Sequence, residues 1–407
     1  MKKFLAIAIL VLFVITLFGC TDSPTPPAVF NSLDDSEATT TGVNETVLAN
    51  NQFAFDLFSF VDNGKNVFYS PYSISTALAM TYEGAKGQTA TEMQNVFHFP
   101  ESNILRPSNA KLYNLLNEGT NNYELKTANA LWAQKDYVFL QDYFDIIKKY
   151  YGGEVTNLDF VNENAQAVET INSWVEEQTN DKIKDILSDL SPETRLVLAN
   201  AIYFKGQWLD KFDVANTKPM NFRKTPTEPI TVQMMNQHSK EASYSKNEDW
   251  QMLKMPYKGD VLSMIVMLPK DETNVSSPTL QEYNELKSKL HKREIEIYFP
   301  KFKFETKYLM NDALFEMGMP TAFTWPGANF SGMTGNQDLF ISQVIHQTFI
   351  EVDEEGTEAA AATVVVMATM GMPLEFKADH PFYFFIQEKT TGEILFMGKV
   401  NDPTSGN

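Results

Sequence analysis

The 407 residues can be asked about two kinds of chemistry: that done by side chains and that done to the backbone. The first is poorly served. Five histidines, His98, His238, His291, His346 and His380, are widely separated, and none stands at a metal-ligand spacing from another. GxSxG, HExxH, GxxxxGK and GxGxxG are all absent, so the chain encodes no nucleophile elbow, zinc helix or phosphate loop. The second kind concentrates in residues 351–373, EVDEEGTEAAAATVVVMATMGMP. Four alanines favour helix. Gly356 and Thr357 before them, and Thr363, Val364, Val365 and Val366 after them, favour extended chain. Read with period two, Thr357, Ala359, Ala361, Thr363, Val365 and Met367 share one small or apolar face. The segment therefore reads as an exposed loop that can also become a strand, with too little bulk in its first half to disturb a packed core.

Around it the sequence supplies elements to receive such a strand. An apolar stripe of Val47, Phe53, Leu57, Phe58 and Val61 predicts a helix from about Thr46. Ser70-Pro71 predicts a cap and first turn for a helix continuing through Ala77, Leu78, Met80 and Ala85. Residues 125–134 have strand character, and residues 143–151 read as a helix stopped by Gly152-Gly153. Val168, Ile171, Trp174 and Val175 stand at helical spacing, with Trp174 read as packing. LVLANAIYFKGQW, 196–208, is a nearly continuous apolar strand of the kind covered on both faces. Asn200 in its middle requires polar partners. Strict alternation over 294–305 predicts further strand, and two apolar strands flank Thr390-Thr391-Gly392.

EEGTEAAAAT closely resembles the hinge of the serpin reactive-centre loop. NVFYSPYSISTALAMTYEGAKGQTATEM, INSWVEEQTNDKI, MPYKGDVLSMIVMLP, AFTWPGANFSGM (with Asn329 where the family usually has Asp) and HPFYFFIQEKTTGEILFMGKVNDP resemble further serpin blocks in order, over 44–403. The resemblance implies an α+β fold with a large central β-sheet, smaller sheets, about eight to nine helices and an exposed reactive-centre loop at about 356–375. It implies a hinge of Glu354, Glu355, Gly356, Thr357, Glu358, Ala359, Ala360, Ala361, Ala362 and Thr363. It also implies a polar cluster of Ser70, Ser73, Asn200 and His346 beneath the place where the main sheet opens, Trp208 at the top of that opening, and a lysine, Lys301, paired with Glu354. Family spacing puts the scissile bond at Met370-Gly371, with Met367-Ala368 and Thr369-Met370 as other possible bonds. The implied function is suicide inhibition of a target serine or cysteine protease. Residues 364–373 carry no charge, so an apolar primary pocket of chymotrypsin, elastase or subtilisin type is expected rather than a trypsin-like one. The alternative is a serpin-fold protein that inhibits nothing and acts as a binding or structural surface protein; an unspoiled hinge weighs against it. No enzyme activity, cofactor or metal is expected.

Composition sets the boundaries. With 43% apolar residues the chain can bury a large core, and one domain over 46–403 is expected. A formal charge of −19 without lysine and arginine clusters argues against nucleic-acid binding. Lys2 and Lys3 before an apolar run, 4–18, predict a signal peptide over 1–19 and hence export. Cys20 is the only cysteine, which excludes disulfides; its place after Leu17-Phe18-Gly19 resembles a lipoprotein processing box, so it is a candidate lipid anchor and the one expected route to a membrane. The Thr-, Ser-, Asp- and Pro-rich residues after it read as a flexible tether over 20–45, carrying a monomeric domain.

Overall fold

The computed structural model describes residues 32–118, 122–272, 276–357 and 374–406. The signal segment, Cys20, and loop residues Glu358 to Thr363, Met367, Ala368, Thr369, Met370 and Gly371 lie outside the described residues. In chain order the first half forms α1 (Thr40–Val61), β1 (Val67–Tyr69), α2 (Pro71–Tyr82), α3 (Gly87–Phe97), α4 (Ser102–Asn117), β2 (Tyr123–Gln134), α5 (Gln141–Tyr150), β3 (Glu154–Leu158), α6 (Asn164–Gln178) and β4 (Leu196–Gln207). The strands β5 (Lys218–Thr225), β6 (Glu228–Lys246), β7 (Trp250–Pro256) and β8 (Leu262–Pro269) follow, then α7 (Leu280–Ser288), β9 (His291–Pro300), β10 (Phe302–Leu309), α8 (Asn311–Met317) and α9 (Ser331–Thr334). The chain closes with β11 (Gln343–Val352), β12 (Gly356–Thr357), β13 (Leu374–Lys377), β14 (Phe382–Glu388) and β15 (Ile394–Val400).

The strands form two mixed sheets. A six-stranded sheet runs β10-β11-β4-β2-β3, with β12 on β4; a nine-stranded sheet runs β1-β15-β14-β8-β7-β6-β9-β13, with β5 on β6. The alternating stretch at 294–305 divides between them, since β9 ends at Pro300 and β10 begins at Phe302. Proline cannot donate to a ladder, so the chain changes sheets there. In β4, Val197, Ala199 and Ala201 face α6 through Ile171 and Val175. On the opposite face Leu196 and Leu198 join the core of α1 and α2, and Ile202 and Phe204 join the core shared with the nine-stranded sheet. This double burial accounts for the apolar run in the sequence.

The tether read over 20–45 ends earlier than expected. Asn114 grips Leu33 through both ends of its amide, accepting from Leu33 N at 2.8 Å and donating to Leu33 O at 2.9 Å. Asp34 pairs with Lys149 and Asp35 with Lys111, each about one ordinary salt-bridge length away at 3.1 and 3.0 Å. Helix α1 then starts at Thr40, capped by the Thr39 hydroxyl, which accepts from Gly42 N. Threonine and glycine are weak helix formers, so this turn has no propensity signal; packing of Val43, Thr46 and Val47 holds it.

Candidate functional site: the sheet seam and the loop hinge

Strands β4 and β11 are parallel neighbours with registers running from Val197 opposite Gln343 to Tyr203 opposite Phe349. Asn200 and His346 are direct partners in that register. Their side chains meet: His346 Nδ1 lies against Asn200 Oδ1, while Ser70 N donates to His346 Nε2 at 3.0 Å. Nε2 must therefore accept and Nδ1 donate, a neutral ring with both nitrogens used. Burial keeps it so, lowering its pKa to about 3. Asn200 Nδ2 donates to Ser73 Oγ at 2.5 Å, to Ser73 O at 3.1 Å and to Asn129 Oδ1. The Ser70 hydroxyl caps α2 by accepting from Ser73 N at 3.1 Å and donates to Leu395 O at 2.6 Å. Ser70, Ser73, Asn200 and His346 thus come together as one satisfied network under the seam. Asn129 also belongs to it, opposite Asn200 in the β2–β4 register; a lone amide inside the apolar strand TANALWA was the available signal.

Above this network the chain leaves β11 and turns at once. Asp353 N donates to Gly356 O at 2.9 Å, closing the turn. The loop after β4 cradles it: Trp208 N donates to Glu355 O at 2.8 Å, Phe212 N to Glu354 O at 3.0 Å, and Trp208 Nε1 to Asp353 O at 3.0 Å. Glu354 is held by Lys301 Nζ at 2.6 Å and by the Thr217 hydroxyl at 2.7 Å, and Glu355 by Lys211. The Glu354 side chain is only 6% exposed against 37% for Lys301. Burial alone would raise its pKa; the bonds from Lys301 and Thr217 overcome this and hold it below the usual glutamate range.

The next two residues are already strand. Gly356 pairs with Gln207 and Thr357 with Gly206, antiparallel to β4. The expectation of an exposed loop from 356 onward is corrected here, since Thr357 is 2% exposed. Its Oγ1 lies 3.0 Å from the hydroxyl of Tyr257, whose ring stacks on Trp208 at 4.7 Å. Gly356 has φ +145°, and a Cβ there would sit 2.2 Å from Gly206 O, so only glycine fits. Trp208 directly follows β4 and holds the 353–356 turn through its main-chain and ring N–H groups. Sequence reasoning missed Tyr257, Lys211 and Thr217, which lie in or beside irregular chain where no periodicity marks them.

Comparison with known proteins agrees with this geometry. The family model described as Serpin (serine protease inhibitor) matches residues 48–403. An uncharacterized serpin-like protein of Methanosarcina mazei is 45% identical over 375 residues, covering 87% of this chain and 87% of that protein. The human leukocyte elastase inhibitor is 39% identical, over 87% of this chain and 98% of its own length. The crystal structure of uncleaved ovalbumin superposes with a TM-score of 0.78 at 32% identity, covering 87% of this chain and 99% of that one.

Proposed function

Because the chain belongs to the serpin family, we propose that it is a suicide-substrate inhibitor of serine proteases with an apolar primary pocket. The observation that carries the reading is the pairing of Thr357 with Gly206: this hinge residue already occupies the head of the β4–β11 seam, antiparallel to both strands it would separate. The residues that would follow it, Glu358 and Ala359 to Thr363, are small on the alternating face. A target protease attacks the carbonyl of Met370; the serine oxygen–carbon bond forms, the bond to the nitrogen of Gly371 breaks, and the amine leaves with the proton delivered by the protease's histidine. The freed end then continues the strand that Gly356 and Thr357 began, carrying the ester-linked protease with it. Displacement of the protease's oxyanion donors by about 1 Å is enough to stall deacylation. Inhibition is a race between insertion and hydrolysis.

The uncharged stretch 364–373 and the name of the human elastase inhibitor support an apolar-pocket target. A serpin fold used only for binding is disfavoured by a hinge without bulky, charged or proline residues on its inserting face. Incubation with chymotrypsin-, elastase- and subtilisin-type proteases should give a covalent complex that survives denaturing gels. Cleavage without complex, and without a rise in thermal stability, would sink the proposal. Export with a lipid anchor at Cys20 is proposed on the sequence alone: Cys20→Ser should move the protein from the membrane to the soluble fraction.

A further inference from the structure

Strand β13 is the edge of the nine-stranded sheet, and among the described residues it pairs only with β9, over Leu374–Lys377. It begins directly after the uncharged stretch 364–373, so it is the downstream root of the reactive loop. Four parallel rungs at a sheet edge are a short hold. Two histidines flank it, and each has both ring nitrogens against groups that only accept.

His380 follows β13 and is 7% exposed. Its Nε2 lies 2.7 Å from Pro269 O and its Nδ1 3.0 Å from Asp379 Oδ1. A carbonyl oxygen cannot donate. Nor can Asp379: burial would raise its pKa, but the bond from His380 and the charges of Arg223, His380 and Lys377 hold it below the usual aspartate range, so it is ionised. Both nitrogens of His380 must therefore donate, which makes the ring an imidazolium. This is the reverse of His346, whose Nε2 accepts. The other charged groups around it are Arg223 of β5, which donates to the two Asp379 oxygens at 3.1 and 3.2 Å, Lys377, 3.5 Å from Asp379, and Glu272, paired with Arg223.

Near the start of β13, His238 of β6 stands in one row with Glu296 of β9 and Glu375 of β13, direct partners in the two registers. Its Nδ1 lies 3.1 Å from Glu296 Oε2 and its Nε2 3.1 Å from Glu294 Oε1, again two carboxylate acceptors. Asn236 donates to the other oxygen of Glu296 at 2.7 Å. Glu296 and Glu375 are like charges on neighbouring strands, and after burial both push up the hydroxyl pKa of Tyr298, over whose ring Lys377 lies at 5.9 Å. A positive ring on the far side of Glu296 offsets that repulsion.

We propose that β13 is a proton-dependent anchor: His380 and His238, each protonated on both nitrogens, fasten the downstream root of the loop, and loss of those protons as pH rises loosens it. When His380 gives up a proton, Pro269 O or the buried Asp379 loses its bond. When His238 does, one of its two carboxylates is left unbonded beside Glu375. An uncut loop stays joined to β13, so it can enter the seam in full only if this strand leaves β9. That consequence rests on the inhibitor reading above; the anchor itself does not.

Hydrogen exchange of the intact protein, expressed as protection relative to the intrinsic rate at each pH, reads the anchor directly. Protection of residues 374–377 should fall at least about tenfold from about pH 6 to about pH 9, the equivalent of one charge-assisted bond lost across the range where imidazole titrates, while β1 and β15 keep theirs. His380→Arg with His238→Arg carries fixed charge and should hold the protection flat. His238→Gln, at a site exposed enough to tolerate it, should lower protection at pH 6 already and shrink the fall. Gentle warming should convert the uncut parent to a form with its loop inserted faster at the higher pH. Flat protection of 374–377 in the parent, or an equal fall in the double arginine variant, would overturn the proposal whether or not the protein traps a protease. A pH-dependent β13 in a chain that traps none would uphold the anchor and count against the inhibitor reading alone.

Discussion

The hydroxyl of Tyr257, just beyond β7, lies 3.0 Å from Oγ1 of the hinge residue Thr357. Both side chains are buried, Tyr257 completely. The pair ties the hinge to the nine-stranded sheet at the same level where Thr357 ties it to Gly206 of the six-stranded sheet. Tyr257→Phe keeps the ring stacked on Trp208 and removes only this bond. The inserted hinge should lose about 1 kcal/mol, read as faster cleavage next to Thr357 in limited proteolysis, with the melting temperature nearly unchanged. Equal cleavage rates would show that the hydroxyl contact does not hold the hinge.

Thr357→Arg tests insertion itself. The side chain would have to occupy a 2% exposed site between β4 and Tyr257, and burying an unpaired guanidinium there is prohibitive. A protease should still cut the loop, but the covalent complex should disappear from denaturing gels in favour of cleaved chain. Continued complex formation would contradict the strand-insertion mechanism.

At Gly356 the obstacle is backbone. With φ +145° and Gly206 O 2.2 Å from where a Cβ would sit, Gly356→Ala cannot keep β12 paired to Gln207 and Gly206. The variant should expel the hinge from the seam, lowering the ratio of complex to cleaved product. Hydrogen exchange at Thr357 N–H, measured before any protease is added, should rise.

The parts legible beforehand were those with a compositional signature. The small-residue hinge stands out because no helix or strand has reason to join Gly356, Thr357 and four alanines. Asn200 stands out as one amide in an apolar strand, and Lys301 and Glu354 were paired through the family resemblance. Three features were not legible. Tyr257 is one aromatic among many until the stack on Trp208 is seen. Lys211 and Thr217 sit in irregular chain around the hinge, and their roles exist only through the close approach of the 353–356 turn. The early start of α1 was hidden because Thr39 to Thr46 has poor helix propensity, which its packing overrides. Alternation also says that 357–367 can be a strand without saying how much of it already is; Gly356 and Thr357 are.

Lys301→Met removes the cation that, with Thr217, keeps the buried Glu354 ionised. A carboxyl with a depressed folded pKa contributes stability that is present above the unfolded value and lost as pH falls through the folded one. The parent should therefore weaken below about pH 4.3, the ordinary glutamate value, through this group. In Lys301→Met that acid-dependent loss should shrink and stability at neutral pH should already be lower, since one partner of a buried pair leaves the other uncompensated. Urea denaturation at a series of pH values reads both effects, and parallel curves for parent and variant would contradict them.

His346 works with the opposite charge type and a wider window. Its ring is neutral in the fold, with a pKa lowered to about 3 by burial, against about 6.5 when unfolded. Between those values the unfolded chain binds a proton that the folded chain does not. Stability should therefore fall as pH drops from 6.5 towards 3, by up to about 1.4 kcal/mol per pH unit from this one group. Protonation would also put a hydrogen on Nε2, where Ser70 N–H now donates at 3.0 Å, and so would break the link between the head of α2 and the seam. His346→Gln removes the titration, and the difference in unfolding free energy between parent and variant should shrink as pH falls from 7 to 4. Because Asn200 and His346 are the register partners that must separate for a strand to enter, the same variant should also convert more readily, on gentle heating, to a form with its loop inserted uncut. A pH-independent difference would remove His346 as the titrating group, and unchanged conversion would show that the seam is held elsewhere.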